Sequence, residues 1–115
     1  MGKERRRYDR VNTVLYATFS DGKRKFRDVI QNASAGGVMI ETNEPWEVST
    51  LLDMLIDARS SINVRGKVVW TAKHWGAYRI GIEFEDLGPG TASVWADVLM
   101  CFTDLWIQAG VDCKA

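Results

Sequence analysis

Apolar and polar residues alternate with a period of two along most of the chain. The stretch Val11–Ser20 reads VNTVLYATFS, with Val11, Thr13, Leu15, Ala17 and Phe19 on one side and Asn12, Val14, Tyr16 and Thr18 on the other. Successive side chains of a strand point to opposite faces, so this pattern predicts a half-buried strand. Its β-branched and aromatic content agrees. Asp21-Gly22 suits the positive φ angles of a tight hairpin turn, and residues 25–30 form the return strand, with Phe26, Asp28 and Ile30 on one face. Residues 31–37 are small and polar and read as a loop, followed by a short strand over 38–42. Pro45 then interrupts, because proline cannot donate to a ladder. Residues 51–58 fit a strand or a short helix by pattern alone; the strands on both sides decide for a strand. Two further strands cover 63–72, alternating through Val64, Gly66, Val68 and Trp70, and 76–85, alternating through Tyr78, Ile80, Ile82 and Phe84. Six short strands with regularly spaced turn signals predict a closed antiparallel β-barrel.

The period then changes from two to that of a helix. Pro89-Gly90-Thr91 reads as a helix start with Thr91 or Ser93 as N-cap. Trp95, Val98, Leu99, Phe102, Leu105 and Trp106 recur at helical spacing and make one broad apolar stripe. Gly110 ends the predicted helix, which covers about 91–109. The stripe is expected to lie over one mouth or flank of the barrel, where core packing is a commoner use of tryptophan than a cofactor site. A thinner second stripe, Ala96, Met100, Thr103 and Ile107, either packs under a loop or meets a partner or a second copy.

Composition narrows the possibilities. A chain of 115 residues with 46% apolar content makes one domain with a core of its own: a basic arm over 1–10 and a barrel-plus-helix body over 11–115. No apolar run reaches the ~20 residues that cross a bilayer, so membrane insertion is not expected. The charged N-terminus does not resemble a secretory signal. Cys101 and Cys113 lack metal-ligand spacing and read as reduced thiols of a cytoplasmic protein. His74 has no second ligand near it for a metal. With a single histidine and two late cysteines, no nucleophile–base pair can be assembled, so the chain is not expected to be an enzyme or to carry a cofactor.

The net charge is zero, which argues against a protein that binds nucleic acid polymers by neutralising phosphates. The distribution is uneven, however: five basic residues and two acidic ones lie between Lys3 and Arg10. A positive arm on a neutral body suits a small anionic ligand. Within the arm, Arg6 and Arg10 stand four residues apart. Arginine presents a planar fork of donors that matches the O6/N7 edge of guanine and the oxygens of phosphate. A second polar cluster, Asn32-Ala33-Ser34-Ala35-Gly36-Gly37, lies between two strands. Asn and Ser can bond a base edge or a phosphate, and the two glycines allow positive φ and close approach of backbone to ligand.

In this order and at the start of a small β-domain, the two clusters resemble the signature of the PilZ domain family, the bacterial cyclic di-GMP receptors: R-x-x-x-R followed by [D/N]-x-S-x-x-G. Arg6 and Arg10 match the first half; Asn32, Ser34 and Gly37 match the second. Gly66-Lys67-Val68-Val69-Trp70 and Gly81-Ile82-Glu83-Phe84 are similar to the family's later strands. Asn stands at position 32, where many members carry Asp, and the family pattern permits it. The resemblance implies a six-stranded antiparallel split barrel with a C-terminal α-helix. It further implies a ligand site in which Arg6 and Arg10 grip guanine edges and phosphates of cyclic di-GMP, Asn32 and Ser34 bond a guanine, and Gly37 keeps the loop open. Arg5 and Arg7 are added as stacking guanidiniums and Gly36 as part of the loop. Trp70 stands either beside the ligand as an apolar wall or in the core.

An arm with three consecutive arginines has too little apolar surface to fold alone. The expected mechanism is therefore that ligand orders the arm against the barrel and so creates a surface for a downstream protein partner, with a homodimer left open. Three rival readings remain. A PilZ-type adapter that binds a protein regardless of ligand would have no use for both arginine forks. An oligonucleotide-binding barrel would want aromatics and lysines spread over one face. An enzyme would need a pair of catalytic groups that the chain lacks.

Overall fold

The computed structural model describes residues 10–102 of the chain. The strands β1 (Val11–Ser20), β2 (Lys25–Ser34), β3 (Gly37–Thr42), β4 (Leu51–Asp57), β5 (Ile62–His74) and β6 (Ala77–Phe84) are followed by helix α1 (Gly88–Met100). All neighbouring strands are antiparallel, and the order β1-β2-β3-β6-β5-β4 closes on itself through the β1–β4 pair. Closure leaves no open edge among the strands, which is how a sheet this small satisfies its backbone groups. This is the six-stranded barrel with a C-terminal helix that the alternation predicts.

The inward set on β1 is the predicted one: Thr13, Leu15, Ala17 and Phe19 are buried, while Val14 and Tyr16 are exposed. Leu15, Ala17 and Phe19 join Ile30, Ala33, Val38, Ile40, Leu52, Met54, Ile56, Ile62, Val68, Ile80 and Ile82 in one core cluster drawn from every strand. Two tryptophans close the opposite ends of β2. Near its start, Trp46 from the β3–β4 connection packs edge-on to Phe26, with ring centroids 5.0 Å apart. At its other end, Trp95 of α1 sits edge-on to Phe84 at 5.5 Å and donates its indole N–H to the Ser34 carbonyl at 2.8 Å. Leu87, Val98, Leu99 and Phe102 pack onto the same core, so the described part of the broad helical stripe, Trp95, Val98, Leu99 and Phe102, covers the barrel as expected.

Four local expectations are corrected. The loop expected over 31–37 is mostly strand: β2 runs through Ser34 and β3 begins at Gly37, leaving a turn of Ala35 and Gly36. Extending the ladder pairs backbone groups that a loop would leave open. Helix α1 starts at Gly88 rather than Thr91, with Pro89 in its first turn, where its missing N–H costs nothing. The Gly88 amide donates to Asp86 Oδ1 at 3.0 Å, so neither Thr91 nor Ser93 is needed as a cap. Helix α1 closes at its cap residue Cys101, so only the part of the 91–109 expectation up to Met100 is helical among the described residues; Leu105, Trp106, Thr103, Ile107 and Cys113 lie outside them. Lastly, Cys101 is disulfide-bonded and not the reduced thiol expected; that expectation rested on an assumed compartment, and nothing in the spacing opposed a bridge. Among the described residues no helix is long and apolar enough to cross a membrane.

Candidate functional site

β1 begins directly after Arg10, so the last arginine of the basic cluster is carried on the first strand of the barrel. There Arg10 Nη1 donates to Asn32 Oδ1 at 2.8 Å. The two halves of the sequence pattern, 22 residues apart, thus meet in one hydrogen bond. Asn32 Nδ2 faces Met39 Sδ at 3.7 Å. A charge-assisted bond of this kind is about twice as strong as a neutral one, and it fixes the orientation of the Asn32 carboxamide.

Asn32 reaches the outer surface because of an irregularity in β2. The β2–β3 register shifts between Ile30 and Asn32, so Gln31 and Asn32 both turn away from the core while Ile30 and Ala33 remain buried. A bulge re-aims side chains in this way. From Asn32 the pairing runs in a straight row around the barrel: Asn12 on β1 opposes Asn32, Asn32 opposes Met39, Met39 opposes Gly81, and Gly81 opposes Trp70. At about 4.8 Å per strand, Asn32 and Trp70 are roughly 14 Å apart along this row.

Trp70 takes its place through a second bulge. Strict alternation puts it inside with Val68, but the β5–β6 register shifts between Val68 and Trp70. Val69 and Trp70 consequently both face outward, at 40% and 39% exposure. The indole lies flat against Gly81: a Cβ built there would come within 2.6 Å of Trp70 Cδ1. Of the two positions open to Trp70 from sequence, the structure selects the outer face, in the same row as Asn32.

Ser34 and Gly37 are placed differently. Ser34 is only 5% exposed. Its Oγ accepts the Gly36 amide at 3.2 Å, and its carbonyl accepts the Trp95 indole. The Gly36 carbonyl accepts the Phe84 amide at 2.8 Å, so the turn is tied to both β6 and α1. Neither Gly36 nor Gly37 has positive φ. Gly37 pairs with Glu83 of β6, and a Cβ there would collide with the Ile82 carbonyl oxygen. The glycine at 37 therefore permits close approach of two strands rather than holding a loop open. Arg5, Arg6 and Arg7 lie outside the described residues.

The electrostatics of the barrel add one group that pattern reading did not single out. Asp28 faces inward between Phe26 and Ile30, and burial pushes its carboxyl above the ordinary carboxylate range, partly offset by a hydrogen bond from Thr42. Among the described residues no group of three or more His, Cys, Asp or Glu side chains is arranged to hold a metal. Asn12, Met39 and Gly81 are the residues of the outer row that sequence reasoning missed. Their place depends on strand register, and none of these residue types signals it.

The PilZ domain model matches residues 4–98. A comparison with curated proteins finds no match. Among solved structures, the fold is similar to the PilZ domain of YcgR from Escherichia coli with c-di-GMP, with a TM-score of 0.74 at 13% identity over 95% of this chain and 100% of that one. It is also similar to the MrkH–c-di-GMP complex of K. pneumonia, with a TM-score of 0.73 and 18% identity over 93% and 55%. The third is the Bacillus subtilis inhibitor of motility MotI/DgrA, with a TM-score of 0.72 and 17% identity over 84% and 50%. The chain thus spans about half the length of MotI and MrkH. The family match extends from the arginine cluster through all six strands into α1, and the chain belongs to the PilZ domain family.

Proposed function

We propose that this chain is a cyclic di-GMP receptor, with a site formed by Arg6, Arg10, Asn32 and Ser34, shaped by Gly37 through the spacing of β3 and β6, and bordered by Arg5, Arg7, Gly36 and Trp70. The observation that carries the reading is the hydrogen bond from Arg10 to Asn32, which joins the two halves of the arginine and Asn-x-Ser-x-x-Gly pattern on the outside of the barrel. The c-di-GMP-bound PilZ structures of YcgR and MrkH have the same fold and support it.

On this reading the ligand is held by arginine forks at its phosphates and guanine edges, by the Asn32 carboxamide, and at the side by the Trp70 indole. Arg10 is already seated on the barrel, so the arm has a fixed hinge. Ligand draws the preceding arginines over the outer row and thereby forms a surface that a partner protein reads. No bond is made or broken: the domain is a receptor of an intracellular second messenger and not an enzyme. The ligand-independent adapter remains the alternative, favoured by the exposed Ala96 and Met100 on the outer side of α1.

The test is isothermal titration of the whole chain with cyclic di-GMP, with GTP and cyclic di-AMP as controls. Selective binding is expected, and Arg6→Ala is expected to weaken it by about 2 kcal/mol, the loss of a charge-assisted bidentate contact. No heat and no thermal shift at high ligand concentration would refute the receptor reading and leave the adapter.

A further inference from the structure

Asn12 stands directly opposite Asn32 in the β1–β2 register. It is exposed, on the outer side of β1, two residues beyond Arg10. The register slips again between Asn12 and Leu15: Thr13 turns inward and donates its hydroxyl to the Ile30 carbonyl at 2.7 Å, while Val14 faces out at 74% exposure. The start of β1 therefore presents Arg10, Asn12 and Val14 on one surface: a cation, a free carboxamide and an apolar step. The Asn12 side chain makes no hydrogen bond among the described residues, whereas that of Asn32 has Arg10 on its oxygen and Met39 sulfur against its nitrogen.

We infer that Asn12 is a specificity-determining contact for the nucleotide, supplying to a guanine edge the carboxamide acceptor that Asn32, whose oxygen is bonded to Arg10, does not offer. The inference rests on the receptor reading above and names a residue outside the arginine and Asn-x-Ser-x-x-Gly pattern. Directly opposed residues on adjacent strands have Cβ atoms about 5 Å apart, so both carboxamides can address one base. A guanine edge offers the O6 acceptor beside N–H donors; a carboxamide, with one acceptor and two donors, answers both. Adenine presents an amino donor where guanine has O6, so a site built on this pairing discriminates between the two purines. Val14, alongside, gives the base an apolar step to rest on.

The experiment is titration of the full chain and of Asn12→Ala with cyclic di-GMP and with 3′,3′-cyclic GMP-AMP, together with thermal melts without ligand. Asn12→Ala is expected to weaken cyclic di-GMP roughly threefold to tenfold, the range of one neutral hydrogen bond, and to narrow the preference over the mixed dinucleotide. The melting temperature should not change, because the side chain is exposed and unbonded. Asn12→Val, which favours the strand, should give the same loss and guards against a backbone effect. Equal affinities in wild type and variant, or equal losses for both dinucleotides, would overturn the role of Asn12 while leaving the receptor reading intact. Absence of binding in the wild type would instead overturn the receptor reading itself.

Discussion

Replacing Gly37 by alanine separates a structural from a ligand-side role at this position. The added Cβ would collide with the Ile82 carbonyl oxygen, and would lie 3.1 Å from the Ile82 carbonyl carbon and 3.2 Å from Glu83 Cα. All three atoms are backbone, so relief requires β3 and β6 to move apart where Gly37 pairs with Glu83. Overpacking of this kind costs about 1–3 kcal/mol, and the upper end applies because no flexible side chain can yield. Loss of a ladder hydrogen bond adds about 1 kcal/mol; the lower entropy of an unfolded alanine returns roughly 0.4–1 kcal/mol. The net expectation is a loss of about 3 kcal/mol, or a drop in Tm on the order of 10–20 °C for a domain of this size. Urea and thermal unfolding followed by tryptophan fluorescence would measure it. Below the transition, the folded fraction of Gly37→Ala should still bind nucleotide. Unchanged stability with abolished binding would refute the reasoning and make Gly37 a direct ligand contact.

Two stability predictions follow from residues elsewhere in the barrel. Trp75 has φ 51° and is followed by Gly76 at φ 83°, the pattern of a type I′ hairpin turn that favours Asn-Gly. Because Trp75 is 92% exposed, Trp75→Asn should stabilise the domain by about 1 kcal/mol, and a lower Tm in the variant would refute the strain argument. Asp28→Asn should raise Tm at neutral pH. The Asp28 carboxyl is pushed upward from 3.8 by burial, so the folded state holds its proton more tightly than the unfolded chain, and stability is lost as pH rises from the unfolded value through the raised folded one. The gain in Asp28→Asn should therefore vanish below the ordinary carboxylate range; a gain that is constant across pH would mean that desolvation of the charge is not its source.

How much was legible in the sequence depended on whether the signal was periodic. The inward set of β1 and the Ile80–Ile82 pair of β6 were readable because a half-buried strand fixes which side chains face the core. Trp70 was not: one shift of register between Val68 and Trp70 reversed its face, and a bulge without glycine leaves no mark in composition. The residues 31–37 misled for a related reason. Small polar residues suggest a loop, but here Asn32 lies at a bulge, Ser34 bonds its own turn, and Gly37 fits a gap between strands. The helix start was missed because Asp86 outside α1, and not a residue within the predicted helix, takes the Gly88 amide.

The same geometry explains why the two halves of the pattern are informative only together. An arginine near a chain end is usually a solvated charge, and an Asn-x-Ser-x-x-Gly stretch is usually a turn. What distinguishes them is the β1–β2 pairing, in which Asn12 opposes Asn32 and so brings Arg10 onto the Asn32 carboxamide. The number of residues between the two clusters is therefore set by the hairpin: β1, its turn and the return along β2 must bring residue 32 back beside the start of β1. A deletion that shortened the hairpin by one residue would turn Asn32 towards the core, since a one-residue slip exchanges the faces of a strand. The contact would be lost although both clusters were intact. The spacing of the pattern thus records strand length and register, and its chemistry exists only once the barrel has closed.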